Sequence, residues 1–210
     1  MKRLIIILIF FSLIVSCQPS ESEPYYNFSN LDYEFIPEQY QEIGRTFIFK
    51  NAQNEEVKIK PLFYTLNKEF ESGYGFGQPT QTESYYYDDL WIEIDLLNVE
   101  IPDEPDGYCE RIYIHINKSP YKGLFVDLQI PSYNEPFCSG GGFNEFSPFE
   151  GLTQMIINNK TYSKVKTITT NEYFTLYNDS HIDKFYYDMD NGIIGFDDTQ
   201  NNKEFRLVSE

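Results

Sequence analysis

Three stretches of strict alternation hold the side chains whose chemistry matters most. In "LWIEIDL", Leu90, Ile92, Ile94 and Leu96 alternate with Trp91, Glu93 and Asp95. In "RIYIHIN", Ile112, Ile114 and Ile116 alternate with Arg111, Tyr113 and His115. In "LFVDLQI", Leu124, Val126, Leu128 and Ile130 alternate with Phe125, Asp127 and Gln129. A period of two marks strands with one buried face. If the three pair, all the non-aliphatic residues share the other face. Such a face suits a sugar ligand: rings stack on apolar sugar faces while carboxylates and amides take hydroxyls, a few placed polar groups on a largely apolar bed. The competing reading is an ordinary solvated sheet face, where cross-strand aromatic and ion pairs add small stabilisation and aromatics serve as good strand formers. His115 with Asp95 or Asp127 offers a catalytic or metal pair. Glu93, Asp95 or Asp127 offers the carboxylates of a hydrolase, which needs two at a defined separation.

Other motifs carry less. Asp188-Met189-Asp190-Asn191-Gly192 opens like a calcium loop, but that pattern needs Gly sixth and Glu twelfth, where this chain has Ile193 and Thr199. A tight hairpin turn explains the same residues. The glycines at 140–142 and at 73, 75 and 77 lack the Lys-Ser/Thr of a phosphate loop, so no cofactor is implied. No G-x-S-x-G elbow exists. Cys109 and Cys138 have no C-x-x-C neighbour, and with only two histidines, His115 and His181, a metal site is not expected.

The elements that must position these residues are strands. Apart from a short helical candidate at 37–43, no segment sustains a helical period. "RTFIFKNAQNEEVKIK" reads as a hairpin with strands at 46–50 and 56–66. "LTQMIINNKTYSKVKTIT" turns at Asn158-Asn159-Lys160, and further strands are expected near 172–178, 182–188, 193–197 and 204–208. Together with 90–97, 111–117 and 124–130 this makes about ten strands. The expectation is an all-β fold, an antiparallel β-sandwich or barrel-like meander. Two segments, 67–89 and 131–151, read as long irregular loops.

Composition narrows partners. The chain has 16 basic and 33 acidic residues, a net charge of −17. Nucleic-acid binding depends on Lys and Arg neutralising phosphates, so no nucleic-acid partner is expected; docking on anionic lipid is disfavoured too.

The N-terminus gives an address. Lys2 and Arg3 precede Leu4–Val15, in which only Ser12 is polar. That is the core of a secretory signal and falls short of the roughly 20 residues of a membrane span. Ile14-Val15-Ser16-Cys17 resembles a bacterial lipobox. The resemblance implies cleavage of a signal peptide at 1–16, lipidation at Cys17 and anchoring to the membrane through acyl chains. Residues 17–30 then read as the lipidated cysteine and a flexible tether, beginning "QPSESEP", and 31–210 as one β-rich domain. Acidic residues behind such a cysteine resemble the signal that sends Bacteroidetes lipoproteins to the outer cell surface, which implies an outer-membrane address on the surface or periplasmic face. With Cys17 lipidated, Cys109 and Cys138 form an even pair, expected as a disulfide in an oxidising compartment.

"NNKTYSKVKTI" followed by "FYYDMDNGIIGFDD…KEFRLV" is similar to the tail of many uncharacterised Bacteroidetes lipoproteins. The likeness covers roughly the last 50 residues, implies a β-rich fold, and implies no chemistry. The functional expectation is therefore a lipid-anchored, non-catalytic binding or interaction module for a glycan or a protein partner. A carboxylate-dependent hydrolase and a structural envelope lipoprotein are the alternatives.

Overall fold

The computed structural model describes residues 23–73, 83–97, 111–129, 132–134, 137–139, 143–175 and 181–208, with backbone alone for 132–134, 137–139, 143, 170–175 and 181. Cys17 and Cys109 lie outside the described residues, as does the side chain of Cys138. The expected lipidation and disulfide pairing lie there with them.

In chain order the strands are β1 (Tyr25–Tyr26), β2 (Phe47–Lys50), β3 (Glu56–Glu71), β4 (Tyr85–Leu96), β5 (Arg111–Ser119), β6 (Gly123–Gln129), β7 (Ser132–Asn134), β8 (Phe137–Ser139), β9 (Phe143–Phe146), β10 (Thr153–Ile157), β11 (Lys160–Thr175), β12 (His181–Asp188), β13 (Gly192–Asp198) and β14 (Lys203–Leu207). One short helix, α1 (Asn30–Tyr33), and a 3₁₀ turn at Glu38–Gln41 lie between β1 and β2. The fold is all-β, as expected. Its main unit is a twelve-stranded, curled half-barrel sheet.

Two antiparallel runs build that sheet. β2 to β6 follow one another and end on β9; β10 to β14 do the same; β14 joins the runs by pairing with β2 through Arg206 opposite Lys50 and Leu207 opposite Phe49. The C-terminus is thereby stitched beside β2. β1 alone runs parallel. It sets Tyr25 and Tyr26 against Tyr86 and Tyr87 of β4, a stretch where β4 has outrun β5. β7 and β8 form a separate ribbon.

The aliphatic positions of β4–β6 and the buried positions of β12–β14 lie far apart in strand order, yet they share one core with Phe28, Phe35, Ile36 and Tyr40. The sheet thus curls with its aliphatic face inward, and residues 28–40 fill the hollow. Each fully buried Ile or Phe there contributes about 1.5–3 kcal/mol of transfer free energy. Three polar side chains, Asp88, Asp32 and Tyr40, anchor this filling segment. Asp88, at an inward position of β4, accepts from the Tyr25 hydroxyl and from Phe28 N at 2.7 Å. Asp32 accepts from Ser29 N, Ser29 Oγ and, at 2.7 Å, Lys118 Nζ. The buried Tyr40 hydroxyl accepts from Ile193 N at 2.7 Å.

Several expectations need correction. The segment 67–89 is not an irregular loop at its ends: residues 67–71 and 85–89 continue β3 and β4 in register, Glu71 opposite Tyr85 to Asn67 opposite Asp89. This ribbon extends beyond the aliphatic core, so its pairing is marked by tyrosines and charges instead of aliphatic alternation. In 131–151, β7, β8 and β9 are strands, and β9 pairs with β6. The expected tether 17–30 does not reach residue 30, because β1 pairs at 25–26 and Phe28 is buried. The expected helix at 37–43 is one 3₁₀ turn.

The Asp188–Gly192 stretch is a hairpin turn between β12 and β13. Asp188 Oδ1 accepts from Asp190 N, Asn191 N and Asn191 Nδ2, which ties the carboxylate to its own loop.

Candidate functional site

β4, β5 and β6 pair directly, and their register places the non-aliphatic residues in rows. Trp91 lies opposite His115, which lies opposite Asp127, which lies opposite Glu145 of β9. Glu93 lies opposite Tyr113 and Tyr113 opposite Gln129; Asp95 lies opposite Arg111; Asn117 joins Asp89 to Phe125. All these positions have the parity opposite to the buried Leu90, Ile92, Ile94 and Leu96. Because that aliphatic face turns inward, this polar-aromatic face is the outer surface of the curl.

The same parity runs on past the residues singled out in the sequence. Along β4 the outer side presents Tyr85, Tyr87, Asp89, Trp91, Glu93 and Asp95. Successive members stand about 6.7 Å apart, so the track spans about 33 Å at roughly 3.3 Å per residue. Tyr26, Tyr85, Tyr87 and Tyr121 cluster at one end, with ring centroids 5.6 Å (Tyr26–Tyr85), 5.9 Å (Tyr85–Tyr87) and 6.3 Å (Tyr85–Tyr121) apart. Trp91 sits at the middle, its ring 3.6 Å from His115 and 5.7 Å from Tyr113 between centroids.

Charge divides the track. At one end the acids are neutralised across strands, Glu93 by Arg111 and Asp95 by Lys60 at 3.6 Å. At the other, no Lys or Arg among the described residues lies within ion-pair distance of Asp89 or Asp127. The nearest base to Asp89 is His115, with Nδ1 4.0 Å from Oδ1, beyond hydrogen-bond reach. The Oδ1 atoms of Asp89 and of Asp127 are buried and accept no hydrogen bond. Burial, reinforced by the nearby charge of Glu69 and only partly opposed by the Asn117 hydrogen bond, pushes the Asp89 carboxyl up to about 6. Burial and then Glu145 raise Asp127 as well, against the pull of Lys122. Burial holds the His115 imidazole below its ordinary range, so it is neutral at pH 7 and supplies no counter-charge.

The face therefore combines stacked rings with carboxylates that have unused acceptor capacity. Among the described residues, no group of three His, Cys, Asp or Glu is placed to hold a metal ion.

No protein-family model, no curated protein and no solved structure matches this chain.

The structure brings Trp91, Glu93, Asp95, Tyr113, His115, Phe125 and Asp127 onto one face. Phe125 lies under Lys122 Nζ, 5.0 Å from its ring centroid, in the row of Asp89 and Asn117. Sequence reasoning missed Asp89, Tyr85 and Tyr87. Counting parity backwards from Trp91 through "YYYDDLW" would have found them. Asp88 and Tyr86 at inward positions broke the aliphatic pattern that would have prompted the count.

Proposed function

We propose that the outer face of β4–β6 is a glycan-binding platform on a lipid-anchored, non-catalytic envelope protein. The observation that supports it most is the row of rings and carboxylates on the outer side of β4, Tyr85, Tyr87, Asp89, Trp91, Glu93 and Asp95. An outward-curling face does not enclose a small molecule, whose sites are concave. It does suit a polymer laid along the strand. The hydrolase reading has less support, because Glu93 and Asp95 are each tied to a cation.

The address is part of this reading. Acylated Cys17 would hold the domain to the outer membrane, and from there to β1 the chain reaches about 30 Å at most. β1 pairs with the Tyr86–Tyr87 end of β4, so the tether arrives beside the aromatic end of the platform.

The test is a glycan array probed with the native protein and with Trp91→Ala and Tyr113→Ala. Binding that falls at least ten-fold in Trp91→Ala supports the platform; binding unchanged in both variants removes it. Intact mass of protein released from its own envelope, without reductant, should show acyl chains on Cys17 and a Cys109–Cys138 linkage; an unmodified Cys17 would refute the anchor.

A further inference from the structure

Residues 66–71 of β3 and 85–90 of β4 form a finger that runs on past the core, with β1 along its edge. Its inner side continues the face of Ile92 and Ile94; its outer side continues the face of Trp91. We propose that the inner side of this finger docks on the membrane surface beside acylated Cys17, an inference that rests on the anchor reading above.

Three observations converge on this. First, the pleat sorts the finger by charge. Leu66, Lys68 and Phe70 lie opposite Leu90, Asp88 and Tyr86, and all face inward. Asn67, Glu69 and Glu71 lie opposite Asp89, Tyr87 and Tyr85, which puts three acids on the outer side. The one inward acid, Asp88, is engaged by the Tyr25 hydroxyl and Phe28 N. Second, the inner side is apolar yet bare. Leu66 is 46% exposed and Phe70 42%, although Leu90 opposite Leu66 is buried. Exposed Tyr25 joins them, because it pairs with Tyr86 and faces the same way. The Phe70 and Tyr86 ring centroids are 5.0 Å apart, and Lys68 Nζ lies 4.3 Å from the Tyr25 and Tyr86 centroids. A contiguous exposed apolar patch marks a contact surface. Third, the tether ends in this patch. Tyr25 stands eight positions after Cys17, so the acyl chains lie within about 30 Å of it. So short a tether makes docking effectively intramolecular, and a patch of modest size suffices.

Chemistry selects the occupant. Tyrosine suits the boundary of lipid and water, with its ring in the apolar layer and its hydroxyl among headgroups. Lys68, the one cation among the inward residues, is placed to meet headgroup phosphate. A net charge of −17 makes the matching surface zwitterionic, since anionic lipid is repelled. A second copy of the chain brings the same −17 and is opposed by it; a zwitterionic bilayer brings no net charge. Docked this way, Glu69, Glu71, Tyr87 and Trp91 face away from the bilayer, which leaves the platform open.

The experiment uses the full-length acylated protein, its acyl chains checked by intact mass, reconstituted into phosphatidylcholine vesicles. Trp91 is the only tryptophan. In a Trp91→Phe background, Phe70→Trp and Leu66→Trp each place a single indole on the inner side, and Tyr87→Trp places one on the outer side. Circular dichroism checks the fold of each. Phosphatidylcholine brominated near the top of its acyl chains should quench both inner-side indoles at least three-fold more strongly than the outer-side one. Equal quenching in all three, or none on the inner side, would overturn the docking, while the acyl mass leaves the anchor standing. Protein without acyl chains would refute the anchor and the docking with it. Inner-side indoles that shift to the blue without quenching by the brominated lipid, in a protein that light scattering shows to be a dimer, would assign the patch to a second copy and overturn the docking on lipid.

Discussion

Replacing Asp89 by Asn should stabilise the protein, and only above a defined pH. Asp89 is largely buried on the outer face, with Oδ1 unpaired and Glu69 nearby, and its carboxyl is pushed from 3.8 up to about 6. A folded-state value above the unfolded one means the native protein holds the proton more tightly. The stabilisation from that proton is fully present below about pH 3.8 and is lost as pH rises through about 6. At roughly 1.4 kcal/mol for each pH unit, a carboxyl raised this far holds its proton about 3 kcal/mol more tightly in the native protein. Solvent screening at a partly exposed face reduces this to about 1–2 kcal/mol. Asn mimics the protonated acid at every pH and keeps an acceptor for Asn117. Urea unfolding of both proteins between about pH 3.5 and 8 should therefore show equal stability at the acid end. A gap of about 1–2 kcal/mol favouring Asp89→Asn should open through about pH 4–6 and level off above about pH 7. A gap independent of pH, or a less stable variant at neutral pH, would refute the account of Asp89 as a carboxylate penalised for its charge. A native side chain that destabilises the fold at neutral pH is a common mark of a functional site.

Two further substitutions probe the scaffold. Gly192 has φ +66°, and a Cβ there would overlap the Tyr40 ring; Gly192→Ala should cost about 2–4 kcal/mol, read by the urea midpoint, and a loss under about 0.5 kcal/mol would show that Tyr40 is not packed there. Asp88→Ala frees the Tyr25 hydroxyl and Phe28 N, so β1 should detach, with cleavage near residues 25–30 by a nonspecific protease rising several-fold; unchanged protection would mean the Asp88 contacts do not hold the segment.

How far the sequence could be read follows the physics of each element. Strands with an aliphatic side, such as Arg111–Ser119 and Gly123–Gln129, announced themselves, because burying one face of a pleated strand imposes a period of two. The Asn158–Asn159 turn was legible for a local reason: both residues sit at positive φ, 50° and 64°, which asparagine tolerates. Residues 85–89 were not legible. Their inward neighbours are a tyrosine and an aspartate, and Asp88 binds the N-terminal segment, a partner about 60 residues away in the chain. The pairing of β14 with β2 and the parallel seat of β1 were equally hidden, since backbone hydrogen bonds between distant strands carry no sequence pattern of their own.

Taken by itself, the sequence determined the acidic charge, the strand-forming segments, and the set of residues sharing parity with Trp91. Those are local properties, set by side-chain type and the alternation of the pleat. Tertiary structure decided which way that face points, which acids find a cation, and which are left buried without one. Curling brought β4–β6 and β12–β14 into one core and turned Trp91 outward, while register gave Glu93 and Asp95 a cation each and, among the described residues, left Asp89 and Asp127 without an ion pair to Lys or Arg. Burial and the distance to the nearest charge are properties of three-dimensional neighbours, and they are what make two carboxylates in one alternating pattern different from the rest.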